Sequence, residues 1–253
     1  MSTVKHILGA GCSFTKNGWF YPPGSKQSRE SDHIQQEPND YPRIIAENLG
    51  ITADNIAMPG SGWQFQMYLV QKWVENNRDK VKDTLLVMGI TSIERGTFFT
   101  KAKEPGKFNK YNIEKVPNHL TPNVQIPNHE KDYNYWRSRG YDPQEVADFF
   151  RLYYTIAYDS DSWSQWQYMQ LRMFQSWLRD IGLRFLFIDA LDEEKRPEEI
   201  ENLYIFPDGS QVWTDYIKSY DKDYDLILHP NIYDHIRLAG LLTDHIYNEY
   251  INI

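Results

Sequence analysis

Ser13 ends the segment His6-Ile7-Leu8-Gly9-Ala10-Gly11-Cys12-Ser13, where a short apolar run stops abruptly at glycine. That pattern predicts a first β-strand delivering one hydroxyl to the open end of a sheet. The glycines let the backbone turn sharply and leave room for close approach. A serine hydroxyl is a weak nucleophile until a neighbouring base takes its proton. Acyl transfer also needs prealigned N–H donors for the oxygen that gains negative charge. Three later blocks carry suitable residue types: Asn55-Ile-Ala-Met-Pro-Gly60-Ser61-Gly62, Met88-Gly89-Ile90-Thr91-Ser92, and His229-Pro230-Asn231-Ile-Tyr-Asp234-His235.

The elements that must position these blocks follow from periodicity. Residues 4–10 read as strand one, and 16–40, with Pro22-Pro23-Gly24, as a long polar loop. Residues 41–49 have helical spacing, with Gly50 where a C-cap glycine belongs. A short strand is expected over 54–58 and an amphipathic helix over 64–76. The nearly continuous apolar run 84–90 predicts a strand buried on both faces. Residues 96–143 show no sustained periodicity, which predicts an insertion covering a site or forming an interaction arm. Helical spacing resumes over 146–158 and 163–178. A buried strand is expected over 183–190, a last short strand or sheet edge over 225–228, and a closing helix over 235–250. Such alternation implies a parallel sheet with helices on both faces. Ligands of these sheets bind outside the carboxyl ends of the strands, so the three glycine-rich turns should share one rim.

In their order and spacing the four blocks resemble those of the SGNH/GDSL hydrolases, esterases and lipases with a flavodoxin-like α/β fold. The resemblance spans nearly the whole chain. It implies one domain over 1–253, a three-layer sandwich with a central parallel sheet and an aromatic-rich insertion over about 96–143. Carried over by position, Ser13 is the nucleophile, His229 the base, and the backbone N–H groups of Ser13 and Gly60 the oxyanion hole. The chain departs from the family at three places. Cys12 stands where the family has Asp. Thr91 stands where it has an oxyanion-binding Asn. Leu226 stands where the Asp that orients the base belongs, with Asp225 one residue further back. Superfamily members that work as Ser-His pairs supported by a backbone carbonyl show that this last loss is survivable. The pairing of Gly-Cys-Ser-Phe-Thr with Gly-Ile-Thr-Ser resembles members carried by tailed phages, which implies a virion-associated or host-modifying role.

The expected substrate is a small acyl ester, such as acetyl on a glycan. Tyr133, Tyr135, Trp136, Tyr141, Tyr153, Tyr154 and Trp163 could stack on sugar rings, or else anchor the insertion or a subunit contact. Ser61, Trp63, Arg95 and Trp136 are the candidate substrate contacts. No cofactor is implied. The competing expectation is a non-catalytic SGNH-like binding or virion structural domain. In it, Ser13 is a turn hydroxyl capping the next segment, and His229 a surface histidine before a proline.

Composition narrows the alternatives. A net charge of −8 without Lys/Arg runs argues against nucleic acid as a partner. One cysteine among 253 residues excludes an intramolecular disulfide. Neither a signal peptide nor an apolar span long enough for a membrane is read, so a cytoplasmic or virion-associated setting is expected, with a homo-oligomer or virion assembly left open. Gly9-Ala-Gly11-Cys-Ser-Phe14 has two glycines of a dinucleotide fingerprint, but Phe14 stands where only a small residue allows close helix–strand packing. Gly60-Ser-Gly62-Trp-Gln-Phe65 fails in the same way, and no Walker-type Gly-Lys-Ser/Thr occurs. The histidines lack metal-site spacing, and no metal is expected.

Overall fold

The computed structural model describes residues 3–15, 40–58, 61–92, 98–99, 106–108, 113–116, 119–120, 137, 142–157, 159–191, 200–222 and 230–252. Strand β1 (His6–Ala10) is buried along its whole length, as is β3 (Thr84–Ile90). With β2 (Thr52–Asn55) and β8 (Arg184–Asp189) they form one four-stranded sheet in the order β2-β1-β3-β8. Every pairing is parallel, with Leu8 opposite Asp54 on one side and Leu86 on the other. This 2-1-3-4 order is that of a flavodoxin-like sheet.

Side chains alternate between two cores, as the strand period of two demands. Leu8, Leu86, Met88, Phe185 and Phe187 face helices α2 (Trp63–Asn76) and α4 (Ser160–Asp180). Ile7, Leu85, Val87, Leu186 and Ile188 face α1 (Tyr41–Leu49), α5 (Trp213–Tyr220) and α6 (Ile232–Ile246). The result is the expected three-layer α/β sandwich. Among the described residues, no helix is long and apolar enough to cross a membrane.

Boundaries follow from local chemistry. Helix α1 is capped by Asp40, whose carboxylate accepts the Arg43 N–H, and it stops at Gly50 with φ of 66°. That left-handed conformation favours glycine. Strand β2 begins and ends earlier than 54–58, yet Ile56 and Met58 still donate to the Gly9 and Gly11 carbonyls at 2.8 and 2.9 Å. Residues 56–58 therefore accompany the outgoing end of β1 toward the rim. Helix α3 (Pro143–Leu152) starts three residues before 146, because Asp142 caps it and Pro143 fits its first turn. Asp159 caps α4 in the same way. Helix α5 was not anticipated.

Within the insertion, short described stretches pair antiparallel. Strand β5 (Gly106–Phe108) pairs with β6 (Ile113–Val116), nested inside a ladder between β4 (Phe98–Phe99) and β7 (His119–Leu120). Beyond β8, Leu203 and Val212 bridge to Phe187 and Asp189. The stretch 225–228, expected at the sheet edge, lies outside the described residues.

Candidate active site

Ser13 sits in the turn that leaves β1, and the backbone there is held from several sides. Gly11 has φ of +148°, a conformation that side chains rarely adopt. A Cβ at Gly11 or at Gly89 would overlap the Thr15 side chain, so both glycines admit that threonine as a wedge between the turn after β1 and the end of β3. Thr15 is fully buried. Its N–H donates to the Cys12 carbonyl at 3.1 Å, and its hydroxyl accepts from Tyr41 Oη at 3.2 Å. Burial pushes the Tyr41 phenol well above its ordinary range, which keeps it a neutral donor. Asn55, at the end of β2, donates its side-chain amide to the Thr15 carbonyl at 3.3 Å and accepts the Ala57 N–H at 2.9 Å.

The three rim turns meet as the sequence predicts. The Ser61 hydroxyl oxygen lies 3.4 Å from the Gly11 carbonyl oxygen. Trp63, at the start of α2, donates its indole N–H to the Thr91 carbonyl at 2.5 Å. Gln66, one turn further on, lies among all three turns. The amide orientation that satisfies both of its ends accepts from the Cys12 N–H and the Ser61 hydroxyl, each at 3.2 Å, and donates to the Gly89 carbonyl at 3.3 Å. Polar groups buried at this depth are costly unless paired, and here they are spent largely on neighbouring backbone.

Burial sorts the candidates. Ser13 is 4% exposed, and Thr91, Ser61 and Trp63 are 0% exposed. Trp63, a candidate substrate contact with Ser61, packs edge-on against Tyr168, and both residues turn their polar groups inside the rim. Thr91 lies on the rim at the carboxyl end of β3, beneath the surface. Cys12 is buried in the core on the α1 face. His229, Asp225, Gly60, Arg95 and Trp136 lie outside the described residues. Among the described residues, no group of three His, Cys, Asp or Glu side chains could hold a metal.

The segment after His229 is nonetheless firmly placed. Pro230 is buried, and Asn231 caps α6 by accepting the Tyr233 and Asp234 N–H groups at 2.8 and 3.1 Å. Asp234 returns the contact to the Asn231 N–H at 2.8 Å and accepts from Tyr220 Oη at 2.9 Å. Burial raises the Asp234 carboxyl above its ordinary value, although the Asn231 N–H opposes this. His235 is buried against Tyr41 and Trp213, and its Nδ1 accepts the Tyr41 N–H at 3.3 Å, tying α6 to α1.

Sequence reasoning missed Thr15, Tyr41 and Gln66, which hold the rim, and Asp189, a fully buried carboxylate ending β8 that accepts the Leu191 N–H at 3.3 Å. A carboxylate closing an apolar strand was the readable signal for Asp189. No family model matches the chain, and no curated protein matches it either.

Proposed function

We propose that the protein is a serine ester hydrolase of the SGNH type, acting on a small acyl ester such as an O-acetylated glycan. The observation that carries this assignment is the place of Ser13. It leaves the carboxyl end of β1, between β2 and β3, where the strand order reverses. Open α/β sheets bind ligands at such a switch point.

In the proposed reaction, His229 takes the Ser13 proton as Oγ attacks the ester carbonyl. The Ser13 and Gly60 N–H groups receive the oxyanion, with Thr91 as a third candidate donor. His229 then protonates the leaving alcohol, and water releases the acyl group by the reverse sequence. Asp225 or a backbone carbonyl steadies the imidazolium. The chemistry asks for no cofactor.

The burial of Ser13, at 4% exposure, favours a second reading: an SGNH-like domain retained for binding or for virion structure. Hydrolysis of p-nitrophenyl acetate separates the two. A hydrolase loses activity at least a hundredfold on Ser13→Ala, whereas equal rates for the two proteins would reject Ser13 as the nucleophile.

A further inference from the structure

Seven residues of α2 are buried, and six of them are apolar or aromatic: Trp63, Phe65, Leu69, Val70, Trp73 and Val74. The seventh is Gln66, 1% exposed. A primary amide is a poor choice for a helix face that packs into a core, unless its donors and acceptor are used. Here the acceptor and one donor are used, and each partner lies at or beyond the carboxyl end of a different strand. Cys12 follows β1, Ser61 follows the β2 segment, and Gly89 is the penultimate residue of β3.

The Cys12 contact matters most for chemistry. The Ser13 N–H belongs to the peptide unit whose carbonyl is that of Cys12. That carbonyl accepts the Thr15 N–H at 3.1 Å. The Cys12 N–H, on the preceding peptide, is held by the Gln66 amide oxygen at 3.2 Å. Both polar backbone groups of Cys12 are thus pinned, which leaves the two soft dihedrals of that residue little freedom. The direction of the Ser13 N–H follows from them. An oxyanion donor is effective in proportion to how well it is aligned beforehand.

We propose that Gln66 is the positioning residue of this site: by bridging Cys12, Ser61 and Gly89 it fixes the peptide plane that aims the Ser13 N–H at the oxyanion. The proposal rests on the ester-hydrolase assignment above. Gln66 touches no reacting atom, so its removal should lower kcat and leave KM nearly unchanged.

The test uses the full chain and two variants. Gln66→Leu removes donor and acceptor together. Gln66→Glu keeps the shape but, when ionised, cannot donate to the Gly89 carbonyl. Once protonated, its carboxylic acid regains both a donor and an acceptor. With p-nitrophenyl acetate, Gln66→Leu should lose about 10- to 100-fold in kcat with KM within about threefold of wild type. The rate of Gln66→Glu relative to wild type at the same pH should climb as pH falls, a recovery that mere loss of packing would not give.

In parallel, amide hydrogen exchange should show Cys12 losing protection at least tenfold in Gln66→Leu, with Leu86 in β3 unaffected. An active wild type whose kcat survives Gln66→Leu overturns the proposal, as does unchanged protection of Cys12. A wild type with no Ser13-dependent hydrolysis overturns the hydrolase assignment and the catalytic role together, and the exchange measurement alone then decides whether Gln66 holds the turn. Should Gln66→Leu not fold, a flat relative pH profile for Gln66→Glu overturns the proposal.

Discussion

At the amino end of the sheet, Thr52, His6 and Asp54 stand in hydroxyl–imidazole–carboxylate contact. Thr52 Oγ1 lies 2.7 Å from His6 Nδ1, and Asp54 Oδ2 lies 3.3 Å from His6 Nε2. At the carboxyl end, the partners identified around Ser13 are mostly backbone groups. By residue type alone, the amino end looks more like a catalytic triad. Its surroundings are those of a structural contact. The Thr52 hydroxyl also lies 3.3 Å from the Lys5 carbonyl, so the imidazole shares it with the backbone of the neighbouring strand. Asp54 also accepts from Trp73 Nε1 at 2.8 Å, and the His6 ring stacks on that indole. The cluster is a strut between β1, β2 and α2. At the carboxyl end, turns replace straight strand, and turns are what free N–H groups for a ligand. Contact among the right residue types does not make a site; backbone donors placed for the oxyanion must stand beside it.

Substitutions at the two ends should therefore differ in kind. The largest effect is expected at the rim wedge. Gly89→Ala drives a methyl into the Thr15 hydroxyl and should cost about 2–3 kcal/mol in urea unfolding. Most of that loss should vanish in a Thr15→Ala background, where the overlapping oxygen is gone. Next, Trp63→Phe keeps the ring but leaves the Thr91 carbonyl without its indole donor, at a cost of about 1–2 kcal/mol. Its kcat should fall as well, because the turn after β3 is no longer tied down.

At the amino end the effects are smaller and leave hydrolysis untouched. His6 holds the Asp54 carboxyl below its ordinary value, helped by the Trp73 N–H and opposed by partial burial. A depressed carboxyl stabilises the fold above its unfolded pKa and loses that contribution as pH falls through the lower, folded pKa. The stability gap between wild type and Asp54→Asn should therefore be present at pH 7, shrink below about pH 4, and stay under about 1 kcal/mol because solvent screens the pair. Smallest of all, Thr52→Val should change stability by about 0.5 kcal/mol and esterase activity not at all. Loss of activity on Thr52→Val would show that the amino-end cluster, not Ser13, is the working site.

How much of this was legible in the sequence varies with the physics of each element. Helix α1 and strand β3 match their expected limits, because a cap, a terminal glycine and an unbroken apolar run are all local signals. Strand β2 is half-exposed and reads Thr-Ala-Asp-Asn, so pairing with β1 defines it rather than its own residues. Helix α5 hides its periodicity in eight residues, where only Trp213, Tyr216 and Ile217 mark the inner face among its apolar side chains. The rim was legible as three glycine-rich turns, since glycine betrays close approach. Its fastenings were not. Gln66 reads as one more polar residue until the helix register turns it inward. Trp63 and Ser61, beside glycines, look exposed until α2 is seen to begin at Trp63.

The central claim is that the hydroxyl at the carboxyl end of β1 is the activated one. Treating the intact protein with a fluorophosphonate and mapping the adduct by mass spectrometry tests it most directly, without knowledge of the substrate. The expected result is a single adduct on Ser13, absent from Ser13→Ala and retained in Thr52→Val. An adduct on Thr52, or none on Ser13 in the folded wild type, would contradict it.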